Sequence, residues 1–335
     1  MTIVLKCDII VKTTILFCLK NIGQGVTYMN KKIENVDEVF AWKDQYCVGV
    51  EEIDSAHIRL FTIVRRLMKN LFLNDYEKNK RTCIEVVKYL KQYTIEHFAQ
   101  EEAFQLKIGY GGYPNHKRIH DNMREITIPS LEKQMEATDY SEESVEHFAG
   151  VCAGWLTAHV MLEDQAMVGK VKSQWSAEFD TDAITLLQAK AEEFMNKIFQ
   201  MEIEAENLNY DGYDIGQAFY YYIIFKGEEN KVYRTATVIS RDLLCHTIGK
   251  LMGKEVRTLD EITLSITSEL IKSFSENFIK QYVKENVNII GDGAVDKSRF
   301  ETDFKTSHPD ISMLWNTRYG RIAFSVKMKK TKLTH

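Results

Sequence analysis

The spacing of histidines and carboxylates constrains this chain more than any bulk property does. The stretch "EHFAQEEAFQLKIGYGGYPNHKRIHDN", Glu96 to Asn122, holds three of nine histidines and three glutamates around a glycine- and proline-containing corner. His97 and Glu101 are four residues apart, so a helix places them on one face. His116 and His120 repeat that spacing beyond the corner. His159 and Asp164 follow five apart, and His57 precedes them all.

Each of these groups falls in its own amphipathic helical pattern. The first runs from about Asp54 to Phe72 and contains "LFTIVRRLMKNLF", with apolar residues at three- and four-residue steps. The second, about Glu77 to Leu106, contains "CIEVVKYLKQYTIEHF" and ends at "KIGYGGYP", because glycines and Pro114 stop one helix and start the next. A third runs from about Pro114 into "IPSLEKQM", and a fourth from about Ser144 to Val168. Four long helices with short connections predict an antiparallel four-helix bundle.

The bundle interior would then receive five imidazoles and two carboxylates. Seven ligands exceed the four that one zinc takes. They suit two octahedral first-row ions, with each carboxylate reaching both. One shared oxide or hydroxide then leaves a single open position, where a small ligand binds. Any one helical pair is a weak signal and is more often a surface pair. Their occurrence in order on four successive helices is what carries weight.

The segment from Trp42 to about Lys170 resembles the bacteriohemerythrin family through "WKDQYCVGVEEIDSAH", "HFAQEE", "HKRIH" and "HVMLED". The resemblance implies a non-haem di-iron centre that reversibly binds dioxygen. It implies that His116, His120 and His159 hold one iron, His57 and His97 the iron with the vacancy, and that Glu101 and Asp164 bridge. An apolar pocket would exclude water. Ile53, Phe61, Phe98, Ile119, Met123 and Trp155 lie near the ligands in sequence and are candidates to line it, although core packing explains each equally well. His147, His246, His308 and His335 fall outside the pattern and read as surface or loop residues.

Composition sets the broader frame. The net charge of -5 and the absence of a basic stripe leave nucleic-acid binding without an electrostatic basis. Six scattered cysteines (7, 18, 47, 83, 152, 245) with no CxxC pair read as thiols in a reducing compartment. Near the N-terminus the uncharged, mainly apolar run Thr13 to Leu19 is far short of a membrane span. Residues 1–37 are therefore read as an extension, with Met29 as an alternative start, and the expected location is cytoplasmic.

The signal changes after Gly169. Residues 171–181 read as a linker, and a helical pattern "AITLLQAKAEEFMNKIF" follows. The runs "AFYYYIIF" and "KVYRTATVI" around "KGEEN" predict a β-hairpin. Ser240 is placed to cap a helix through "LLCHTIGKLM" that Gly253 ends, and a long helix spans about Asp260 to Glu285. "ISMLWN" and "RIAFSVKM" read as closing strands. Residues 182–330 are thus expected to form an α+β domain with a mainly antiparallel sheet, behind an all-α domain at 38–170.

This second part is similar to the CheX-type phosphatase family of bacterial chemotaxis, which dephosphorylates a response regulator. The likeness rests on the hairpin, the "SRDLLCHTIGKLMG" helix, the acidic "TLDEIT" step and the long helix after it. The family's motif has a Ser or Asp four residues before a Glu, and an Asn three residues after it. The Glu anchors the partner and the Asn orients water. Here "SITSELIK" supplies Ser265 and Glu269, but Lys272 stands where the Asn belongs, and Glu276 near the place of a usual Gly. A protonated lysine accepts no hydrogen bond and orients water poorly. The alternative reading of Glu269 and Lys272 is an exposed helix face with an ion pair.

Three functions follow from the two resemblances. One is a dioxygen or redox sensor that signals through its C-terminal domain to a receiver domain. A second is an oxygen carrier or scavenger whose C-terminal domain forms a homodimer. The third is an enzyme, either a response-regulator phosphatase or a di-iron oxidase. A tethered chemotaxis-type domain has no purpose in storage, which favours the sensor, and the missing Asn counts against the phosphatase.

Overall fold

A computed structural model describes residues 39–72, 76–170 and 182–330. The extension with Met29, the linker at 171–181, Cys7, Cys18 and His335 lie outside the described residues. The described chain divides into two compact units, one of residues 39–170 with 248–270, the other of residues 182–247 with 271–330.

The first unit is helical. After a short 3-10 turn at Asp44–Tyr46, helix α1 spans Glu51–Phe72. Its entry is fixed by Asp54, whose carboxylate accepts the Val48 and Gly49 N–H groups at 2.6 and 2.8 Å. Ile53, Leu60, Phe61, Val64, Leu67 and Leu71 recur at helical spacing and are all buried. Helix α2 (Tyr76–Lys107) is stopped by Gly109, at φ +67°, with the Tyr110 N–H donating back to the Gln105 carbonyl. Helix α3 (Tyr113–Asn122) carries Pro114 in its first turn, where the missing N–H costs nothing. It passes through a π turn at Met123–Thr127 into α4 (Ile128–Ala137). The Ser141 hydroxyl caps α5 (Glu142–Ala158) by accepting the Ser144 N–H. A second π turn, His159–Asp164, then leads into a last turn at Gln165–Met167.

The second unit is α+β. Asp182 caps α6 (Ala183–Phe199) by accepting two N–H groups at 3.0 Å. The sheet has six strands, β1 (Glu204–Asn207), β2 (Ala218–Lys226), β3 (Lys231–Ser240), β4 (Asn288–Val295), β5 (Ile311–Thr317) and β6 (Gly320–Lys330). Their order is β1-β5-β6-β3-β2-β4 and every pairing is antiparallel. Between β3 and β4 the chain forms α7 (Arg241–Met252) and α8 (Glu261–Val283), and α9 (Lys297–Ser307) follows β4.

Both faces of this sheet are covered, so β2 reads as an unbroken apolar run, "FYYYIIF", instead of an alternation. Phe300 and Phe304 of α9 join Tyr220, Tyr222, Val238 and Leu314 in one core layer. On the other face Phe324 meets Phe274 and Phe278, and the Trp315 indole donates to Gln188 of α6 at 2.6 Å. The predicted hairpin forms with Tyr222 opposite Ala236. Ser240 directly precedes α7, where a cap is expected, and its hydroxyl accepts the Arg321 N–H of β6 at 2.9 Å, while Gly253 at φ +70° follows the end of α7. Among the described residues no helix is long and apolar enough to cross a membrane.

Candidate metal centre

The four segments of the first unit that carry the candidate ligands converge on one buried point. His57 comes from α1, His97 and Glu101 from α2, His116 and His120 from α3, and His159 and Asp164 from the π turn after α5. All seven are buried, five of them with no exposure at all. On an α-helix, residues five apart point about 140° away from each other. A π turn bonds i to i+5 and returns them to one side. That local winding is what brings His159 Nε2 within 3.2 Å of Asp164 Oδ1.

The two carboxylates divide their oxygens between two histidine sets. Glu101 Oε1 faces His57 and His97, at 3.3 and 3.8 Å. Its Oε2 faces His120 at 3.2 Å, with His116 and His159 at 3.9 and 4.0 Å. Asp164 repeats the division, with Oδ2 at 3.2 Å from His57 and Oδ1 at 3.2 Å from both His116 and His159. One side therefore has three imidazoles and two oxygens, and the other has two imidazoles and two oxygens.

Hydrogen bonding does not account for this arrangement. All four carboxylate oxygens and both nitrogens of His57 are buried without a hydrogen-bond partner. Orphaned polar atoms of this kind cost too much to be left uncompensated in a core. The Nε2 atoms of His116 and His120 lie 3.1 Å apart, and those of His120 and His159 2.9 Å apart. Metal–nitrogen bonds of about 2.1 Å at right angles put two donor atoms about 3 Å apart. The donor set therefore fits metal ions, and two groups emerge that could each hold one: Glu101, His116, His120, His159 and Asp164, and His57, His97 and Glu101.

The electrostatics agree with a site for positive charge. Burial by itself would lower His57, yet the adjacent Asp164 and Glu101 carboxylates raise it to about 10. His97 and His159 go the other way, to about 4, because burial outweighs the carboxylates there. Burial would raise Glu101 and Asp164, and the surrounding imidazoles hold both well below the usual carboxylate range.

Around the ligands lie groups that the spacing did not single out. Glu102 Oε1 is 3.3 Å from His120 Nδ1 and fixes that ring from behind. Its place directly after Glu101 in "HFAQEE" is the only trace of this in the sequence. Trp42 lies against His57 and Tyr93 against His97. Of the pocket candidates, Phe98 stacks on His120 at 3.9 Å and Trp155 on His159 at 4.3 Å. Ile53, Phe61 and Met123 are buried, Phe61 within a stack with Phe40 and Tyr46, while Ile119 and Trp155 are half-buried.

The remaining candidates stand elsewhere. Lys272 is 3.0 Å from Asp292 of β4, whose carboxylate also accepts from Tyr221. Ser265 is buried at 3% exposure and Glu269 is half-buried, so this stretch of α8 is not the exposed face considered above. His147 is not an idle surface residue, since its Nδ1 lies 2.8 Å from Ser265 Oγ. His246 stacks on Tyr319, and His308 ends α9 in the left-handed region.

Comparison with known proteins places the first unit. Bacteriohemerythrin from Clostridium acetobutylicum is 29% identical over 136 residues, 39% of this chain and 99% of that protein. Bacteriohemerythrin from Stenotrophomonas maltophilia is 25% identical over 135 residues, 40% of this chain and 83% of that protein. Among solved structures, the chemotaxis protein CheX from Vibrio vulnificus matches at 10% identity with a TM-score of 0.37, covering 44% of this chain and 100% of that one. The CheX-CheY-BeF3-Mg+2 complex from Borrelia burgdorferi matches at 12% identity with a TM-score of 0.36, over 44% of this chain and 99% of that one. The sequence model of the hemerythrin HHE cation binding domain matches residues 48–171 of this chain.

Proposed function

We propose that the cluster holds two iron ions and binds dioxygen, and that the chain reports oxygen or redox state to a receiver domain of a phosphorelay. The observation that carries the first half is the division of Glu101 and Asp164, each with one oxygen toward either histidine set. His116, His120 and His159 would hold one iron and His57 and His97 the other, with Glu101 and Asp164 shared. An iron pair held there would supply the two electrons that reversible dioxygen binding needs.

This chain's own residues do the rest. Glu102 and the Phe98 ring hold His120 in orientation, and Trp155 does the same for His159. Burial of all seven side chains keeps bulk water and reductants away. The Glu101 and Asp164 carboxylates would supply the counter-charge for metal ions held there.

The signalling half rests on the Ser265–Glu269 pattern of α8 and on the α+β unit that follows. Phosphatase activity is not part of the proposal. The Lys272 ammonium engages Asp292 and has no lone pair to offer a water. The test is an anaerobic-to-air absorption measurement on the reduced, iron-loaded chain. A visible charge-transfer band that appears with air and fades under vacuum is expected. Oxidation without such a band would contradict reversible binding, and failure of a receiver domain to bind in either iron state would contradict signalling.

A further inference from the structure

The Ser265–Glu269 face of α8 lies inside the first unit, against α5. Two glycines on α5, Gly150 and Gly154, are one helical turn apart and accept its backbone. A Cβ at Gly150 would stand 2.6 Å from Ser265 Cβ and 2.9 Å from the Ile262 carbonyl oxygen. A Cβ at Gly154 would stand 2.8 Å from Glu269 Cβ and 2.9 Å from the Ile266 carbonyl oxygen. Ile262, Ser265, Ile266 and Glu269 form one stripe of α8, at steps of three and four. Only glycine permits this approach of two helices.

Polar groups fasten the same contact. His147, one turn before Gly150, places Nδ1 at 2.8 Å from Ser265 Oγ and 3.1 Å from Glu261 Oε1. The Ser265 hydroxyl also donates to Glu261 at 3.1 Å. The hydroxyl and carboxylate that match the phosphatase-type motif thus face a helix of this same chain. Further along α5, Trp155 follows Gly154 directly and stacks on His159. The His159–Asp164 turn continues directly from the helix that carries Gly154.

We propose that α5 is a built-in cover for the Ser265–Glu269 face, and that a receiver domain engages α8 only after α5 moves off it. The proposal deepens the signalling reading above and rests on it. It explains how a metal centre could act on a distant motif without a separate linker, because the covering helix runs straight into the turn that carries His159 and Asp164. The two states are α5 seated on α8 and α5 withdrawn.

The test uses the full, iron-loaded, reduced chain in wild-type, Gly154→Leu and His147→Ala forms. Hydrogen exchange is followed in peptides covering residues 261–270, and binding of a beryllofluoride-activated chemotaxis receiver domain is measured in parallel. Gly154→Leu overpacks the contact, so exchange there should quicken about ten-fold or more, with β3 unchanged. His147→Ala adds no atoms and should quicken it several-fold, which keeps the test alive if the leucine variant does not fold. The receiver should bind the opened variants about ten-fold more tightly than wild type. Unchanged exchange in folded variants would overturn the cover, as would wild type binding the receiver as tightly as they do. Faster exchange with no receiver binding to any form would instead sink the receiver reading, and this proposal with it.

Discussion

Two clusters of functional-type side chains, both among the described residues, differ in what satisfies them. In the candidate metal centre, seven buried side chains leave all four carboxylate oxygens without hydrogen bonds, an arrangement suited to cations. At Ser265, the hydroxyl is equally buried but is answered from within, by His147 and Glu261. The first is a donor set suited to a ligand from outside. The second is a motif closed by its own chain. Burial alone therefore does not separate a binding site from a masked one, whereas the convergence of unpaired donor atoms on one point does.

The sharpest way to break this contrast is to remove a shared carboxylate. Glu101→Ala should reduce bound iron from about two per chain to well below one, because both histidine sets lose an oxygen together. Metal analysis of the purified variant checks this. Ser265→Ala should leave iron content unaltered.

Next in size is metal removal. Chelation should lower the melting temperature of the helical unit by about 10 °C, since binding free energy stabilises only the folded form. The sheet unit should melt as before, so calorimetry would show one transition moving and one fixed. If both move equally, or neither does, the orphaned oxygens are not what the metal repairs.

A smaller effect belongs to Glu102. Glu102→Gln keeps the shape but loses the charge behind His120, and should weaken iron retention against a competing chelator about ten-fold. An unchanged competition curve would make Glu102 a bystander.

The smallest prediction concerns the closed motif. Burial, together with Asp260, Glu142 and Glu261, raises Glu146 to about 8, with Lys254 opposing. The folded chain thus holds this proton more tightly than the unfolded one. That stability is full below about pH 4.5 and is lost as pH rises through about 8. Glu146→Gln should flatten this decline, by about 2 kcal/mol at pH 9 after allowance for its partial exposure. Denaturant unfolding at pH 6 and pH 9 measures it, and an equal slope in both proteins would contradict the assignment.

The legible parts of this chain are the periodic ones. His97 with Glu101 and His116 with His120 could be read directly, because four residues are one helical turn. His159 with Asp164 could not be placed by spacing, since the π turn that unites them breaks the period on which such reading depends. The hairpin of β2 and β3 was plain from its β-rich runs. Strand β1, "EAEN", is short and polar, β4 carries two glycines, and α9 is polar except for Phe300 and Phe304, so none of the three announced itself. The burial of Ser265 depends on Gly150 and Gly154, more than one hundred residues earlier, and no local pattern encodes it.

The most direct test of the account is the iron content of the full chain after anaerobic reconstitution and desalting. The account predicts about two irons per chain in wild type, with the second lost before the first in His57→Ala. One iron per chain in wild type, or none, would contradict the claim that Glu101 and Asp164 serve two metals.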